Sequence, residues 1–229
     1  MGRMQTWFPW YCIRSLRVSW RAGKETWMVR CVTFQCRNIR LEGKLHLNPG
    51  SKKGVVITHP HPLYGGNMDN AVVLSIADAF YDAGFSTLRF NFRGTGNSSG
   101  MFDDGAGEQD DVRAALAYLT EHHIPDLYLA GYSFGSWVNA HVVSSGITIQ
   151  DHVMVSPPAA FISFDSVDTL NDTGLVITGQ DDDIAPADQI HLLLDRLGIS
   201  PSMIVLDSCD HFYTSSLKRL RKALDSYLT

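Results

Sequence analysis

The stretch Leu127 to Val143, LYLAGYSFGSWVNAHVV, contains the pattern that decides the fold. A short apolar run typical of a strand leads into Gly131-Tyr132-Ser133-Phe134-Gly135, after which apolar residues recur at helical spacing. Strand, G-x-S-x-G and helix in this order are typical of a nucleophile elbow, whose strained turn pushes the serine hydroxyl out beyond the sheet. The following helix aims free N–H groups at the same point. A tight structural junction would also account for the pentapeptide alone, so the surrounding chain has to distinguish the two interpretations.

The length and composition indicate an ordinary globular protein. The chain has 229 residues, of which 45% are hydrophobic and 19% are charged, and this length suits one α/β domain. No run of 18 apolar residues is present, so the sequence predicts no transmembrane helix. The four cysteines form no CxxC pair, which is typical of free thiols in a reducing compartment and predicts a cytoplasmic protein. Nothing in the sequence indicates an oligomeric state.

Residues 1–31 differ from the rest of the chain. They carry five arginines, one lysine and one glutamate, together with four of the five tryptophans, and show no regular period. We interpret them as an N-terminal extension, either a mis-assigned start with translation beginning at Met28, which we favour, or a disordered targeting or membrane-touching arm. The domain would then span residues 32–229. That part has 23 acidic and 13 basic residues, a balance that disfavours binding to nucleic acid.

The rest of the chain alternates between strand and helix patterns. Two antiparallel strands, Val32 to Arg37 and Gly43 to Leu47, are predicted to turn around Leu41-Glu42-Gly43. Further strands are predicted at 55–58, 85–92, 127–130, 152–156, 175–178 and 203–206, and helices at 70–83, 108–121, 186–197 and 212–228. Such alternation predicts an α/β fold with a mostly parallel, doubly wound sheet and helices on both faces.

Two loops that follow predicted strands could suggest a metal or a cofactor. His59-x-His61 could bind a metal, but the Asp and His that would complete an HxHxDH ligand set are absent, so we predict loop geometry and no metal. The Gly-rich stretch Arg93 to Gly100 lacks the lysine and helix start of a phosphate-binding loop, so we predict a structural turn. The sequence therefore predicts no cofactor.

A carboxylate and a histidine follow the last two predicted strands in the order that a nucleophile elbow requires. The serine needs a base, usually histidine, and the histidine needs a carboxylate to fix its tautomer. Elbow enzymes supply them in the order Ser, then Asp or Glu, then His. Asp181-Asp182-Asp183 follows the strand at 175–178, and His211 follows the strand at 203–206. We therefore predict a triad of Ser133, Asp182 and His211, with Asp181 as the alternative acid.

The tetrahedral intermediate of such a reaction needs two hydrogen-bond donors. The backbone N–H of Phe134, directly after the serine, is the first. The second is expected from the loop after the strand at 55–58, where Pro60 and Pro62 have no N–H. His61 or Leu63 remain, and we favour His61.

Together these motifs resemble the α/β-hydrolase superfamily. The stretches Thr58 to Asn70 (THPHPLYGGNMDN) and Arg89 to Gly100 (RFNFRGTGNSSG) look like those of small lidless bacterial-type members, which are similar to dienelactone hydrolases and CocE/NonD-type proteins. The resemblance runs from about Val32 to the end and implies hydrolysis of an ester or thioester. Dienelactone hydrolases have a cysteine where this chain has Ser133, so their substrate is not carried over.

The connection between the strands at 152–156 and 175–178, where many relatives insert a lid, is too short for a helical cap domain. We therefore expect an open site that acts on small-molecule acyl esters or thioesters through an acyl-enzyme, without interfacial activation. A peptidase or amidase with the same triad is an alternative. A non-catalytic binding protein that kept the fold is another, although such a protein would typically have lost one member of the triad.

Overall fold

Eight strands form one sheet in the computed structural model, which describes residues 29–229. The order across the sheet is β1-β2-β4-β3-β5-β6-β7-β8, with antiparallel pairing for β1–β2 and β2–β4 and parallel pairing elsewhere. The strands are Arg30–Cys36 (β1), Ile39–His46 (β2), Lys53–Thr58 (β3), Ser86–Phe90 (β4), Asp126–Tyr132 (β5), Asp151–Val155 (β6), Thr173–Gly179 (β7) and Ser202–Leu206 (β8). The predicted extension lies outside the described residues, except for its last three.

Five helices cover both faces of this sheet, as predicted. They are Ala71–Asp82 (α1), Ala106–Glu121 (α2), Phe134–Ser144 (α3), Ala187–Leu197 (α4) and Leu217–Leu228 (α5). Helices α1 and α5 bury one face of the sheet, and α2, α3 and α4 bury the other. Because both faces are covered, the central strands are apolar along their length rather than alternating.

The turn of the first hairpin is not where we predicted it. The chain turns at Arg37 and Asn38, with Arg37 at φ 54°, and β2 runs without interruption through the predicted turn at Leu41-Glu42-Gly43. Gly43 is a pairing residue opposite Phe90, where a Cβ would lie 3.1 Å from the Arg89 carbonyl oxygen. The glycine is therefore needed because β2 and β4 approach closely at this position, and not because the chain turns there.

The C-terminal helix starts later than predicted, at Leu217 instead of Phe212. Tyr213 has φ 57°, a left-handed conformation that cannot continue a right-handed helix, and its side chain is fully buried. The segment between β8 and α5 is therefore a loop of successive turns. This loop carries His211.

Residues 156–172, which connect β6 to β7, contain no helix, so the fold has no lid domain. The connection is tied down by the elbow helix: the Trp137 indole N–H donates to the Ser163 carbonyl oxygen at 2.8 Å. Within residues 29–229 no helix is both long enough and apolar enough to cross a membrane.

Candidate functional site

The junction between β5 and α3 forms a sharp corner with Ser133 at its tip. Ser133 has φ 54° and ψ −122°, a strained conformation for a residue with a side chain. The glycines on either side allow the corner to close. A Cβ on Gly131 would lie 2.6 Å from the Ser136 nitrogen, and one on Gly135 would lie 2.7 Å from the His59 carbonyl oxygen.

The structure brings Ser133, His211 and Asp182 together, although they are far apart in the chain. His211 Nε2 lies 2.9 Å from Ser133 Oγ, and His211 Nδ1 lies 2.8 and 2.9 Å from the two oxygens of Asp182. All three residues are buried, with 7%, 6% and 2% exposure for the serine, histidine and aspartate. Each of them follows a parallel strand at its carboxyl end, which is why the fold makes them converge.

The structure also distinguishes between the two candidate acids. Asp181 is exposed and its N–H donates to the Cys209 carbonyl oxygen, whereas Asp182 turns inward. Asp182 Oδ1 accepts the N–H groups of Ile184 at 3.1 Å and Ala185 at 2.7 Å. Burial disfavours the charged form, but hydrogen bonds and the charge of His211 more than offset it, so the pKa of Asp182 is lowered. Asp182 is therefore placed and ionised as a partner for the imidazole.

Two backbone N–H groups are candidates for donating to an oxyanion beside Ser133. Phe134 is the first residue of α3, where an N–H has no acceptor within the helix. In the loop after β3, the Leu63 N–H donates to His61 Nδ1 at 3.3 Å. This bond occupies Leu63 and favours His61 as the second donor. The rings of His61 and Phe134 lie side by side, with 4.6 Å between their centroids.

His59 binds backbone groups of two loops. Phe92 N–H donates to its Nε2 at 3.0 Å, and its Nδ1 lies 2.6 Å from the Pro60 carbonyl oxygen, which fixes the protonated nitrogen as Nδ1. Burial lowers the pKa of His59 to about 4. His59 is thus a neutral side chain whose hydrogen bonds connect the loops after β3 and β4. This agrees with the interpretation of the His-x-His pattern as loop geometry. Among residues 29–229, no three His, Cys, Asp or Glu side chains cluster as a metal site would require.

The Gly-rich loop after β4 is held by charged side chains, as expected for a structural turn. The Arg93 guanidinium binds the buried Asp111 carboxylate at 2.8 Å, and the Arg93 N–H donates to the same group at 3.0 Å. The Glu42 carboxylate accepts from the side chains of Asn91 at 2.7 Å and Asn97 at 2.8 Å. These bonds fix the loop that presents Phe102 to the ring of His61.

Exposed apolar side chains lie on the loops that follow β3, β4, β6 and β8, and we call them the apolar rim: Leu63, Tyr64, Met101, Phe161 and Phe212. The rings of Tyr64 and Phe161 are 6.4 Å apart, and Phe212 packs edge-on against His211. An open groove of about 880 Å³ runs between the loops after β3 and β4 and is lined in part by Leu63, Met101 and Phe102. Exposed apolar surface of this extent commonly marks a binding site.

Sequence reasoning missed three hydroxyl groups behind the site. The Tyr132 hydroxyl donates to the His211 carbonyl oxygen at 2.7 Å. The hydroxyls of Tyr213 and Ser156, both buried, lie 2.8 Å apart. The one signal that could have identified Ser156 is its position directly after β6, between the elbow strand and the strand that carries Asp182.

Comparison with known proteins places these features in context. No family model matches the chain. The chain is 34% identical over 201 residues to an uncharacterized protein of Rickettsia prowazekii (strain Madrid E), covering 82% of this chain and 84% of that protein.

Two solved structures share both the fold and a substantial part of the sequence. An α/β serine hydrolase homologue from Coxiella burnetii is 32% identical, with a TM-score of 0.81 and coverage of 87% of this chain and 97% of that one. A member of the α/β serine hydrolases without lid from Xanthomonas campestris is 31% identical, with a TM-score of 0.80 and coverage of 86% and 92%. Each of these similarities extends far beyond the corner at Ser133.

Proposed function

This chain belongs to the α/β-hydrolase superfamily, and from that premise we propose that it cleaves carboxylic esters or thioesters through an acyl-enzyme on Ser133. The observation that carries the proposal is the continuous contact from Ser133 Oγ to His211 Nε2, at 2.9 Å, and from His211 Nδ1 to Asp182, at 2.8 Å. A hydroxyl, a base and an orienting carboxylate within hydrogen-bond reach are the parts that activated serine chemistry needs.

In the proposed mechanism, His211 removes the proton of Ser133 as Oγ attacks the carbonyl carbon. The N–H groups of Phe134 and His61 stabilise the resulting oxyanion, helped by the positive end of α3. His211 then donates the proton to the leaving alcohol or thiol, and the acyl group stays on Ser133. A water molecule, deprotonated by His211, attacks the acyl-enzyme; as the bond between the acyl carbon and Ser133 Oγ breaks, His211 returns the proton to Oγ and the acid is released. Asp182 holds the imidazole tautomer and stabilises the imidazolium in both steps.

The surroundings of the site favour substrates with an apolar acyl part. The apolar rim is exposed and no lid covers it, so an extended chain or an aromatic group can lie across it without displacing a domain. An apolar contact surface next to a few polar groups is the usual composition of a small-molecule site. We therefore place the acyl group against the rim.

The charges near the site favour a leaving group that is not an anion. The loops after β3, β4, β7 and β8 contain one basic residue, Arg93, whose guanidinium already binds Asp111. The same loops contain seven aspartates besides Asp69, which pairs with Lys44 at 2.6 Å: Asp103, Asp104, Asp181, Asp182, Asp183, Asp207 and Asp210. Such an excess of one sign repels substrates of that sign. We propose uncharged or cationic esters as better substrates than acyl thioesters with phosphorylated leaving groups.

The HPHP and RFNFRG stretches carry the finer part of the proposal, a relationship to dienelactone hydrolase and CocE/NonD-like groups. The nucleophile of the dienelactone hydrolases is a cysteine. Because this chain has Ser133 there, we propose that it hydrolyses oxygen esters other than dienelactones. The thiols of Cys36 and Cys209 are buried and unbridged, which supports a reducing compartment, and we propose the cytoplasm.

Covalent labelling tests the nucleophile. The full chain should react with a fluorophosphonate probe, and the reaction should disappear in Ser133→Ala. Ser136→Ala is the matched control, because Ser136 is the neighbouring buried serine and its hydroxyl donates to the Ser133 carbonyl oxygen at 2.7 Å. Correctly folded wild-type protein that does not react would refute the enzyme proposal and favour the non-catalytic binding protein.

A substrate panel then tests the bond that is cleaved. We expect turnover of p-nitrophenyl esters of graded acyl length and of neutral thioesters, and slower turnover of matched p-nitroanilides, because amine leaving groups are poorer. Faster cleavage of the anilides would replace the esterase proposal with the amidase or peptidase alternative. A steep rise in rate at an oil–water interface would contradict the open, lidless site.

A further inference from the structure

A line of aromatic rings leads from the residue after Ser133 to the surface, and we call it the aromatic strip: Phe134, His61, Tyr64 and Phe161. The ring centroids are 4.6 Å apart for Phe134 and His61, and 4.9 Å apart for His61 and Tyr64. They are 6.4 Å apart for Tyr64 and Phe161. Phe134 is buried, whereas Tyr64 and Phe161 are 75% and 58% exposed. The strip therefore begins in the core next to the serine and ends in rings that a ligand can reach.

Both exposed rings are carried by hydrogen-bonded turns that contain proline. Tyr64 ends the short 3₁₀ turn Pro62–Tyr64, and its N–H donates to the His61 carbonyl oxygen at 3.1 Å. Phe161 follows Pro158, and its N–H donates to the Pro158 carbonyl oxygen at 3.0 Å. Because proline fixes φ and the hydrogen bonds close each turn, these backbones have little freedom left to lose when a ligand binds.

The connection that carries Phe161 is also fixed to the elbow helix. The Trp137 indole N–H donates to the Ser163 carbonyl oxygen at 2.8 Å, and the Trp137 ring stacks on that of Phe134 with 5.6 Å between centroids. Trp137 thus links the outer end of the strip to the helix that begins directly after Ser133. Exposed aromatic surface that is held in place next to a reactive group is typical of a binding site.

The chemistry at the serine indicates which part of an ester lies on the strip. In the proposed mechanism the carbonyl oxygen accepts from the N–H groups of Phe134 and His61, the first two members of the strip. The leaving oxygen must lie near His211, which protonates it. Among residues 29–229, the rings in contact with His211 are those of Tyr132 and Phe212, which lie outside the strip. We therefore assign the leaving group to the side of His211 and the acyl group to the strip.

We propose that the aromatic strip makes this chain selective for esters of aromatic carboxylic acids, with the acyl ring packed against Tyr64 and Phe161. Aromatic rings prefer offset or edge-to-face contacts with one another, and such contacts stabilise a complex beyond what the buried area alone gives. A saturated ring of the same connectivity buries its surface without this preference. The inference rests on the proposed hydrolysis at Ser133 and adds the class of acyl group to it.

Two matched esters test this selectivity, p-nitrophenyl 3-phenylpropionate and p-nitrophenyl 3-cyclohexylpropionate. They share the leaving group and the linker, so the ratio of their kcat/KM values, corrected for their rates of alkaline hydrolysis, reports on the acyl ring. We expect wild-type protein to favour the phenyl ester about fivefold, as an aromatic contact of ordinary strength would give. A cyclohexyl ester that is hydrolysed as fast or faster would overturn the proposal, because burial of apolar area would then be sufficient.

Tyr64→Leu and Phe161→Leu each remove one ring and keep an apolar side chain. The preference for the phenyl ester should fall to about twofold in each variant and disappear in the double variant. The ratio compares two substrates on one protein sample, so any loss of active protein cancels from it. Both positions are exposed, and thermal unfolding should therefore change little.

Tyr81→Leu is the matched control. The Tyr81 ring stacks on that of His46 with 3.4 Å between centroids, at the amino edge of the sheet. Its preference for the phenyl ester should stay at the wild-type value. A preference that survives in the double variant, or one that is lost equally in Tyr81→Leu, would overturn the proposal. Failure of the proposed function would look different, because wild-type protein would then hydrolyse neither ester and would not react with a fluorophosphonate.

Discussion

At each end of strand β6 a tyrosine hydroxyl hydrogen-bonds to a residue at that end of the strand, so the two ends can be compared directly. At the amino end, Tyr227 and the Gly174 N–H donate to Asp151, at 2.8 and 3.0 Å. At the carboxyl end, the Tyr213 hydroxyl lies 2.8 Å from that of Ser156, the residue that follows β6. The same edge of the sheet holds Asp182, whose carboxylate lies 2.8 Å from the imidazole of His211.

The two carboxylates differ in charge stabilisation as a result. Burial raises the pKa of Asp151, and its hydrogen bonds reduce that rise without cancelling it. Burial acts in the same direction on Asp182, but His211, Ser156 and the Ala185 N–H lower its pKa overall. Neutral donors alone therefore leave a buried carboxylate as a costly anion, and the histidine makes the difference.

Replacing each carboxylate by an amide should give the largest difference in kcat between the two ends of β6. We expect Asp182→Asn to lower kcat about 10⁴-fold, because an amide holds the histidine in the wrong tautomer. Asp151→Asn should leave kcat within about twofold, since its partners lie at the other edge of the sheet. Steady-state ester hydrolysis measures both. Similar losses in the two variants would mean that the carboxyl end has no special role.

A proline at position 61 removes the candidate oxyanion donor at the carboxyl edge, and an alanine at the same position controls for the loss of the imidazole. His61 has φ −54°, which a proline can adopt, so His61→Pro deletes the N–H while keeping the loop conformation. We expect kcat to fall about 10²- to 10³-fold, the usual cost of one oxyanion donor. His61→Ala keeps the N–H and is the control. If kcat falls as much in the alanine variant as in the proline variant, the imidazole ring of His61 and not its backbone N–H contributes to catalysis.

The free energy of unfolding should depend on acid in the same way at the carboxyl and amino edges of the sheet. His59 lies at the carboxyl end of β3 and His152 near the amino end of β6, and burial lowers their pKa values to about 4 and about 3. Because the unfolded chain binds these protons at higher pH, each histidine destabilises the fold as the pH falls from about 6.5 towards its folded pKa.

Urea titrations at pH 7 and pH 4.5 test this expectation. Between these two values wild-type protein should lose unfolding free energy, and His59→Gln or His152→Asn should each remove up to about 3 kcal/mol of that loss. Each variant also loses a hydrogen bond, so the comparison is made across pH within one variant. A stability of wild-type protein that does not change over this range would contradict the burial of both imidazoles as neutral groups.

The smallest expected effect concerns charge at the two edges. Asp103→Asn/Asp104→Asn should raise kcat/KM for an acyl-CoA about fivefold relative to a neutral thioester, because it removes two negative charges near the site. Asp126→Asn/Asp172→Asn removes the same charge at the amino edge and is the control. The gain should vanish at high salt. A gain that persists there, or that appears in the control, would argue against repulsion at the site.

The order and type of the elements could be predicted from sequence because apolar runs and helical periods are local signals. The same signals placed Ser133, Asp182 and His211 at the carboxyl edge, where the structure brings them into contact. Their roles as nucleophile, acid and base remain a proposal. The sequence favours Asp182 over Asp181, but which of the two side chains turns inward is a property of the loop that neighbouring residues do not encode.

The errors have a common cause in residues with unusual backbone conformation. Arg37 turns the first hairpin and Tyr213 delays α5, both with positive φ and without the glycine that usually indicates it. Gly43, which did suggest a turn, instead allows two strands to approach. Ser156 was missed for a similar reason, since its contact with the Tyr213 hydroxyl joins residues that are distant in sequence.

Trp137 has a spectroscopic consequence. Its indole lies 5.6 Å from the ring of Phe134 and reaches the connection 156–172 through Ser163. The other four tryptophans of the chain precede Met28, so a protein shortened to begin there would have a single tryptophan, which can be excited selectively over the tyrosines. Its emission would then come from the helix that follows Ser133. Arrival and departure of an acyl group could be followed by intrinsic fluorescence in real time, with no dye attached.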